Sequence, residues 1–124
     1  MVSGIAHVAL YTDKFEETIK FYEDTFDAEN LGCFMTARRG CWLKIGDSFL
    51  EIFESEALPA EGAFKHIAIQ VDNIDEMIER CLKNGASMYQ EKRDITLALK
   101  DPKDLTIVFV EGVNGEQIEL VADR

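Results

Sequence analysis

Two stretches decide the fold when they are laid over each other. They are Ile5-Ala-His-Val-Ala-Leu-Tyr-Thr-Asp-Lys-Phe-Glu-Glu-Thr-Ile19 and Phe64-Lys-His-Ile-Ala-Ile-Gln-Val-Asp-Asn-Ile-Asp-Glu-Met-Ile78. Without a gap, His7 falls on His66, Ala9 on Ala68, Asp13 on Asp72, Glu17 on Glu76 and Ile19 on Ile78. Many of the other pairs are apolar on apolar or acidic on acidic. A register of this kind reads as an internal duplication rather than two unrelated strand–helix pairs.

Each copy opens with a strand. Alternation puts Ile5, His7, Ala9 and Tyr11 on one face and Ala6, Val8 and Leu10 on the other. In the second copy Phe64, His66, Ala68 and Gln70 share a face, opposite Lys65, Ile67, Ile69 and Val71. Both histidines thus occupy the same relative face, next to an alanine that leaves space. Helices follow over 14–26 and 73–84. Asp13 is expected to cap the first, with Glu16 completing a capping-box-like pair, and Asp72 to cap the second. The apolar stripes are Phe15, Ile19, Tyr22 and Phe26, then Ile74, Met77, Ile78, Cys81 and Leu82. Asn84-Gly85 ends the second helix.

The rest of each copy reads as strands. The first copy offers Cys33 to Arg38, Gly40 to Ile45, a Gly46-Asp47 turn and Ser48 to Phe53. The second offers Ile95 to Leu99, a turn at Asp101-Pro-Lys-Asp104, Leu105 to Val110 and Glu116 to Val121. The expected fold is therefore α+β, two tandem βαβββ modules over residues 1–53 and 64–124. A polar linker with Pro59 and Gly62 spans 54–63, and the whole forms one domain.

The last strand of each copy carries a carboxylate among apolar residues: Glu51 in Phe49-Leu-Glu-Ile-Phe53 and Glu119 in Gln117-Ile-Glu-Leu-Val121. Leu50, Ile52, Ile118 and Leu120 are expected to face the helices, so the glutamates face the other way. A carboxylate there costs several kcal/mol unless it is paired or bound to a cation. If the two sheets close around a shared cleft, His7, Glu51, His66 and Glu119 converge. Two imidazoles and two carboxylates suit a divalent first-row ion and leave coordination positions open for water or substrate. Singly, a strand histidine is more often structural and a strand glutamate more often solvated. The repeat-equivalent positions of the only two histidines weigh against that.

Composition narrows the partners. The 124 residues are 47% hydrophobic and 30% charged, with 13 Lys and Arg against 24 Asp and Glu, a net charge of −11. So acidic a chain repels nucleic acid and disfavours anionic lipid. No apolar run approaches the roughly 18 residues of a membrane span, and the N-terminus reads as no secretion signal. The odd set of Cys33, Cys41 and Cys81 reads as reduced thiols of a cytoplasmic protein, two of them core residues.

These residues resemble the vicinal oxygen chelate superfamily, the glyoxalase/bleomycin-resistance fold. The resemblance rests on the His7 strand, the Phe15 to Tyr22 helix with its Phe21-Tyr22 pair and the Phe49 to Phe53 strand. It rests equally on His66 with Val71-Asp72 and on Gly115-Glu-Gln-Ile-Glu-Leu120. It implies an incomplete barrel around a metal cleft. The set His7, Glu51, His66, Glu119 looks like that of compact bacterial glyoxalase I, lactoylglutathione lyase, holding one Ni, Co, Mn or Zn ion per site. Fosfomycin-inactivating members carry no Glu at the position of Glu51, epimerases usually carry Gln there, and bleomycin-binding members lack the ligands. The implied reaction isomerises a hemithioacetal or another α-hydroxycarbonyl through a metal-stabilised enediolate, with Glu119 as base and Glu51 as its symmetric partner.

Two positions depart from the glyoxalase I pattern. Tyr11 stands where its arginine contacts glutathione, and Ser55 stands where it has asparagine. The cleft-side aromatics Tyr11, Phe49, Phe53 and Phe64 either meet substrate or simply pack as core. Arg38 and Arg39 could grip an anion or merely lie exposed. The competing readings are an epimerase or thiol transferase on the same scaffold, and a non-catalytic protein that binds a small molecule or antibiotic. The compact relatives imply a homodimer with sites shared between chains.

Overall fold

The computed structural model describes residues 6–56, 66–99 and 101–124. The chain divides into two compact units, Met1–Glu61 and Gly62–Arg124. The first contains β1 (Val8–Thr12), α1 (Phe15–Phe26), β2 (Glu29–Met35), β3 (Arg39–Ile45) and β4 (Ser48–Glu54). The second contains β5 (Ile67–Gln70), α2 (Ile74–Lys83), β6 (Ser87–Leu97), β7 (Lys103–Glu111) and β8 (Gln117–Asp123). The βαβββ order appears twice, as the duplicated sequence predicts.

Topology repeats with it. The sheets are ordered β1-β4-β3-β2 and β5-β8-β7-β6. In each, the first strand runs parallel to the last and the other neighbours are antiparallel. A parallel pair needs a long crossover, which the helix and two intervening strands supply. Register repeats too: Ala9 lies opposite Glu51, and Ala68 opposite Glu119. Among the described residues each unit keeps an open four-stranded sheet, and neither closes into a barrel.

One face of each sheet is the core. In the first unit Phe15, Ile19, Tyr22 and Phe26 of α1 are buried, together with Cys41, Leu43, Leu50 and Ile52 of the sheet. In the second, Ile74 and Cys81 of α2 are buried, with Val108, Val110, Ile118 and Leu120. The expected α2 stripe narrows. Met77 and Ile78 are half-buried and Leu82 is exposed, because only Ile74 and Cys81 meet the sheet squarely.

The caps correct the sequence reading. Lys14, not Asp13, is the N-cap residue of α1, and it makes no side-chain cap. Thr12 acts instead: its Oγ1 accepts from Lys14 N at 2.8 Å, while the Thr18 hydroxyl donates to Lys14 O at 2.6 Å. Both threonines are fully buried, so the short hydroxyls fit where a carboxylate would be stranded. In α2 the cap is Asn73, whose side chain accepts from Glu76 N at 3.2 Å, rather than Asp72. Gly85 follows α2 with φ +102°, as a helix-ending glycine should.

Strand bounds shift as well. β2 starts at Glu29 and ends at Met35, where Thr36 N turns back to Arg38 O. β6 begins at Ser87, well before the expected Ile95. It is an edge strand, exposed along almost all its length and rich in charge, so no apolar alternation marks it; that charge also discourages edge-to-edge pairing. Glu54 ends β4 rather than opening the linker. Linker positions 57–63, the strand openings at Ile5 and at Phe64-Lys65, and the aromatic Phe64 lie outside the described residues.

Candidate metal centre

The strand alternation that buries Leu50 and Ile52 turns Glu51 to the opposite face, and the same holds for Glu119 between Ile118 and Leu120. His7, just before β1, reaches the same face as Ala9. Its Nε2 lies 3.4 Å from Glu51 Oε1. His66, just before β5, places Nε2 3.3 Å from Glu119 Oε1. The carboxylates keep only 14% and 16% of their side-chain exposure, while the imidazoles keep 36% and 38%. Each acid is largely withdrawn from water and has one imidazole beside it.

Two donors bound to one cation at about 2.0–2.2 Å sit roughly 3.0–3.4 Å apart for octahedral to tetrahedral angles. Both His–Glu pairs have that spacing, so the donor set fits a divalent ion in chemistry and in distance. Among the described residues no group of three or more His, Cys, Asp or Glu is assembled; each unit brings together one pair.

Two aromatic neighbours escaped the sequence reading. Trp42 lies opposite Glu51 in the β3–β4 register, and its indole Nε1 donates to Glu51 Oε2 at 2.5 Å. The His7 ring packs on it with centroids 5.0 Å apart. Phe109 holds the equivalent place opposite Glu119, edge-on to His66 with centroids 5.2 Å apart. Pairing outward from the Gly46-Asp47 turn would have placed Trp42 against Glu51.

The expected substrate aromatics that can be described lie on the Glu51 face. Tyr11 meets Phe53 edge-on at 5.6 Å, Phe53 meets Phe34 at 5.9 Å, and Phe49 meets Trp42 at 5.4 Å. Tyr11 is exposed and Phe49 and Phe53 are half-buried, so this face is not closed core within its unit. Gly40 makes the packing possible. A Cβ there would fall 2.6 Å from the Phe34 ring and 2.9 Å from the Phe53 ring.

The two arginines separate. Arg39 pairs with Glu16 at 2.7 Å and Glu54 at 2.8 Å and covers the Phe15 ring. The Glu54 hydrogen bond, followed by that to Glu16, holds its pKa above the ordinary guanidinium value. Arg38 stacks over Tyr11 with its guanidinium carbon 5.0 Å from the ring centroid. Cys33 is exposed, whereas Cys41 and Cys81 are buried. Burial, with Cys33 beside it, pushes the Cys41 thiol up to about 12, and burial pushes Cys81 to about 11.

A duplicated βαβββ unit that sets one His–Glu pair on the face of each sheet away from its helix defines the class of scaffold. The chain belongs to the Glyoxalase/Bleomycin resistance protein/Dioxygenase superfamily, whose family model matches residues 4–119. It is 32% identical over 99 residues to the fosfomycin resistance protein FosX of Listeria innocua, covering 74% of this chain and 73% of that protein. The crystal structure of FosX from Listeria monocytogenes matches the whole chain and 94% of its own, with a TM-score of 0.82 at 23% identity. A mutant of that protein, complexed with Mn(II) and 1S,2S-dihydroxypropylphosphonic acid, matches with a TM-score of 0.76 at 22% identity. It too covers the whole chain, and 93% of its own length. The superfamily expected from the sequence is therefore the right one. These relatives are fosfomycin resistance proteins, and they lend no support to lactoylglutathione lyase in particular.

Proposed function

We propose that the chain is a metal-dependent enzyme of this superfamily that acts on a small anionic substrate with neighbouring oxygen atoms. His7, Glu51, His66 and Glu119 are the ligands, with one divalent ion per site. The observation that carries this reading is the repeated pair, an imidazole 3.3–3.4 Å from a withdrawn carboxylate in both units. Mn(II) in a FosX relative supports a divalent ion of the Ni, Co, Mn, Zn group. Such an ion, when bound, supplies Lewis-acid stabilisation of negative charge on substrate oxygens.

The protein's own part is orientation and proton transfer. Tyr11, Phe49 and Phe53 form an apolar floor beside the His7–Glu51 pair. Arg38, raised over Tyr11, offers a guanidinium to a carboxylate or phosphonate. Glu119 is the base that moves a proton between adjacent carbons, as in a glyoxalase I-like isomerisation, and the fourth ligand Glu51 favours that reading. A second reading is the opening of a phosphonate epoxide, favoured by likeness to FosX at 32% identity.

One pair of assays tests these. Metal-loaded protein is given hemithioacetals of methylglyoxal with several thiols, and separately fosfomycin with Mn²⁺ and no thiol. Turnover of a hemithioacetal alone supports proton transfer, and thiol-independent loss of fosfomycin supports epoxide opening. Activity on neither, in protein that binds metal tightly, directs the search to epimerase and thiol-transferase substrates. Absence of any metal binding sinks the enzyme reading in favour of a small-molecule-binding protein.

A further inference from the structure

We infer that Trp42 is a positioning residue that makes the two carboxylates of the duplicated site unequal, fixing Glu51 and leaving Glu119 free to turn. The inference rests on the metal-centre reading above. Its starting point is one difference between otherwise equivalent halves. Opposite Glu51 stands Trp42, and opposite Glu119 stands Phe109. Both rings pack on the histidine of their own unit, at 5.0 and 5.2 Å. Only the indole carries an N–H, and it donates to Glu51 Oε2.

That bond has a geometric consequence. A carboxylate is planar, so anchoring Oε2 stops rotation about its last carbon–carbon bond and commits Oε1 to one direction. Oε1 is the atom that faces His7 Nε2. The indole is itself held between the His7 ring and the Phe49 ring, 5.4 Å away, so its N–H cannot swing aside. Glu51 is thereby committed as a single-oxygen ligand, and its second oxygen is occupied by a donor. Glu119 touches His66 through Oε1 and, among the described residues, accepts no matching hydrogen bond. Its carboxylate can rotate, shift between one- and two-oxygen contact, or detach and take a proton. Two symmetric glutamates thus divide their work: Glu51 as lasting ligand and Glu119 as the mobile, proton-carrying one.

The test replaces the N–H without changing the ring's shape. Residue 42 is made β-(3-benzothienyl)alanine, in which sulfur stands in place of the indole nitrogen, and separately Trp42→Phe. Metal-free wild type and both variants are titrated with Co²⁺, read by calorimetry and by visible absorption. Wild type is expected to take up one ion per chain. Loss of an orienting hydrogen bond to a ligand should weaken affinity about tenfold to a hundredfold in both variants. The cobalt absorption should also change, because Glu51 is released to bind through either oxygen. Folding of the isosteric variant is checked by circular dichroism, so a Trp42→Phe that fails to fold does not obscure the result. Equal Co²⁺ affinity and equal spectra in wild type and the isostere would overturn the positioning role while leaving the metal centre standing. Wild type that binds no Co²⁺ would overturn the metal centre itself, and this role with it.

Discussion

Glu51 sits between Leu50 and Ile52, which are 5% and 0% exposed, yet its own side chain turns to the opposite face beside His7. There the Trp42 N–H donates to its Oε2, so one carboxylate oxygen keeps a hydrogen bond away from water. Among the described residues Glu119 has its histidine beside it and no matching N–H donor, which fits the proton-transfer role proposed for it. Glu119→Gln should lower turnover on the accepted substrate by about 10²–10⁴, with an unchanged circular dichroism spectrum. Wild-type rates in that variant would remove Glu119 as base. Arg38→Ala should raise KM for an anionic substrate several-fold and leave kcat nearly unchanged, because the guanidinium binds the substrate without entering the reaction. The thiols give a further expectation. Cys41 and Cys81, at about 12 and 11, stay protonated and buried, so a thiol reagent at pH 8 should modify Cys33 alone in the native protein and all three in denaturant. The sign for stability follows. Between about pH 9 and 11 the unfolded thiols lose protons that the folded ones keep, so stability should fall as pH rises through that window.

The elements show how local chemistry sets the sites. β1 can hand over to α1 so abruptly because Thr12, the last strand residue, accepts from the N–H of Lys14, the N-cap residue, and holds the turn between them. Thr12→Val should therefore cost about 1–2 kcal/mol, read as a lower thermal midpoint, since it removes the buried hydroxyl that accepts from Lys14 N. β3 carries Gly40 for a different reason. The two phenylalanine rings beside it close over the missing side chain, and Gly40→Ala should cost about 1–3 kcal/mol by overpacking. The strand pairing also explains Trp42. A two-residue turn fixes the register of β3 on β4, and register alone delivers the indole to Glu51.

At the scale of the whole molecule, the four-ligand centre proposed above draws one His–Glu pair from each unit. The arrangement we favour joins His7 and Glu51 of one chain to His66 and Glu119 of the partner subunit in a homodimer. Light scattering at micromolar concentration should give twice the chain mass, and a monomer would exclude shared sites between chains. Chelation should lower the thermal midpoint, and a divalent ion added in hundredfold excess over its Kd should restore about 2.7 kcal/mol. In His66→Ala both effects should shrink. Among the described residues no helix is long and apolar enough to cross a membrane.

Much of this was legible in the chain. The aligned histidines and the carboxylates flanked by apolar residues determine, through alternation and repeat, which face each of these four residues occupies. The α+β order and the superfamily follow from the same pattern, because periodicity and duplication are properties of sequence. Only the end of edge strand β6, from Ile95, was legible; its stretch from Ser87 to Asp94 was not, since exposed charged residues leave no period to read. The Thr12 turn before α1 and the Asn73 cap of α2 were missed because several polar residues compete locally and packing decides between them. Only the tertiary structure could show that the Trp42 N–H turns to Glu51 Oε2, and that Arg39 rather than Arg38 is taken up by Glu16 and Glu54. Those distinctions depend on which side chain a folded strand or helix brings within hydrogen-bonding reach, and distance in space is what a linear pattern does not carry.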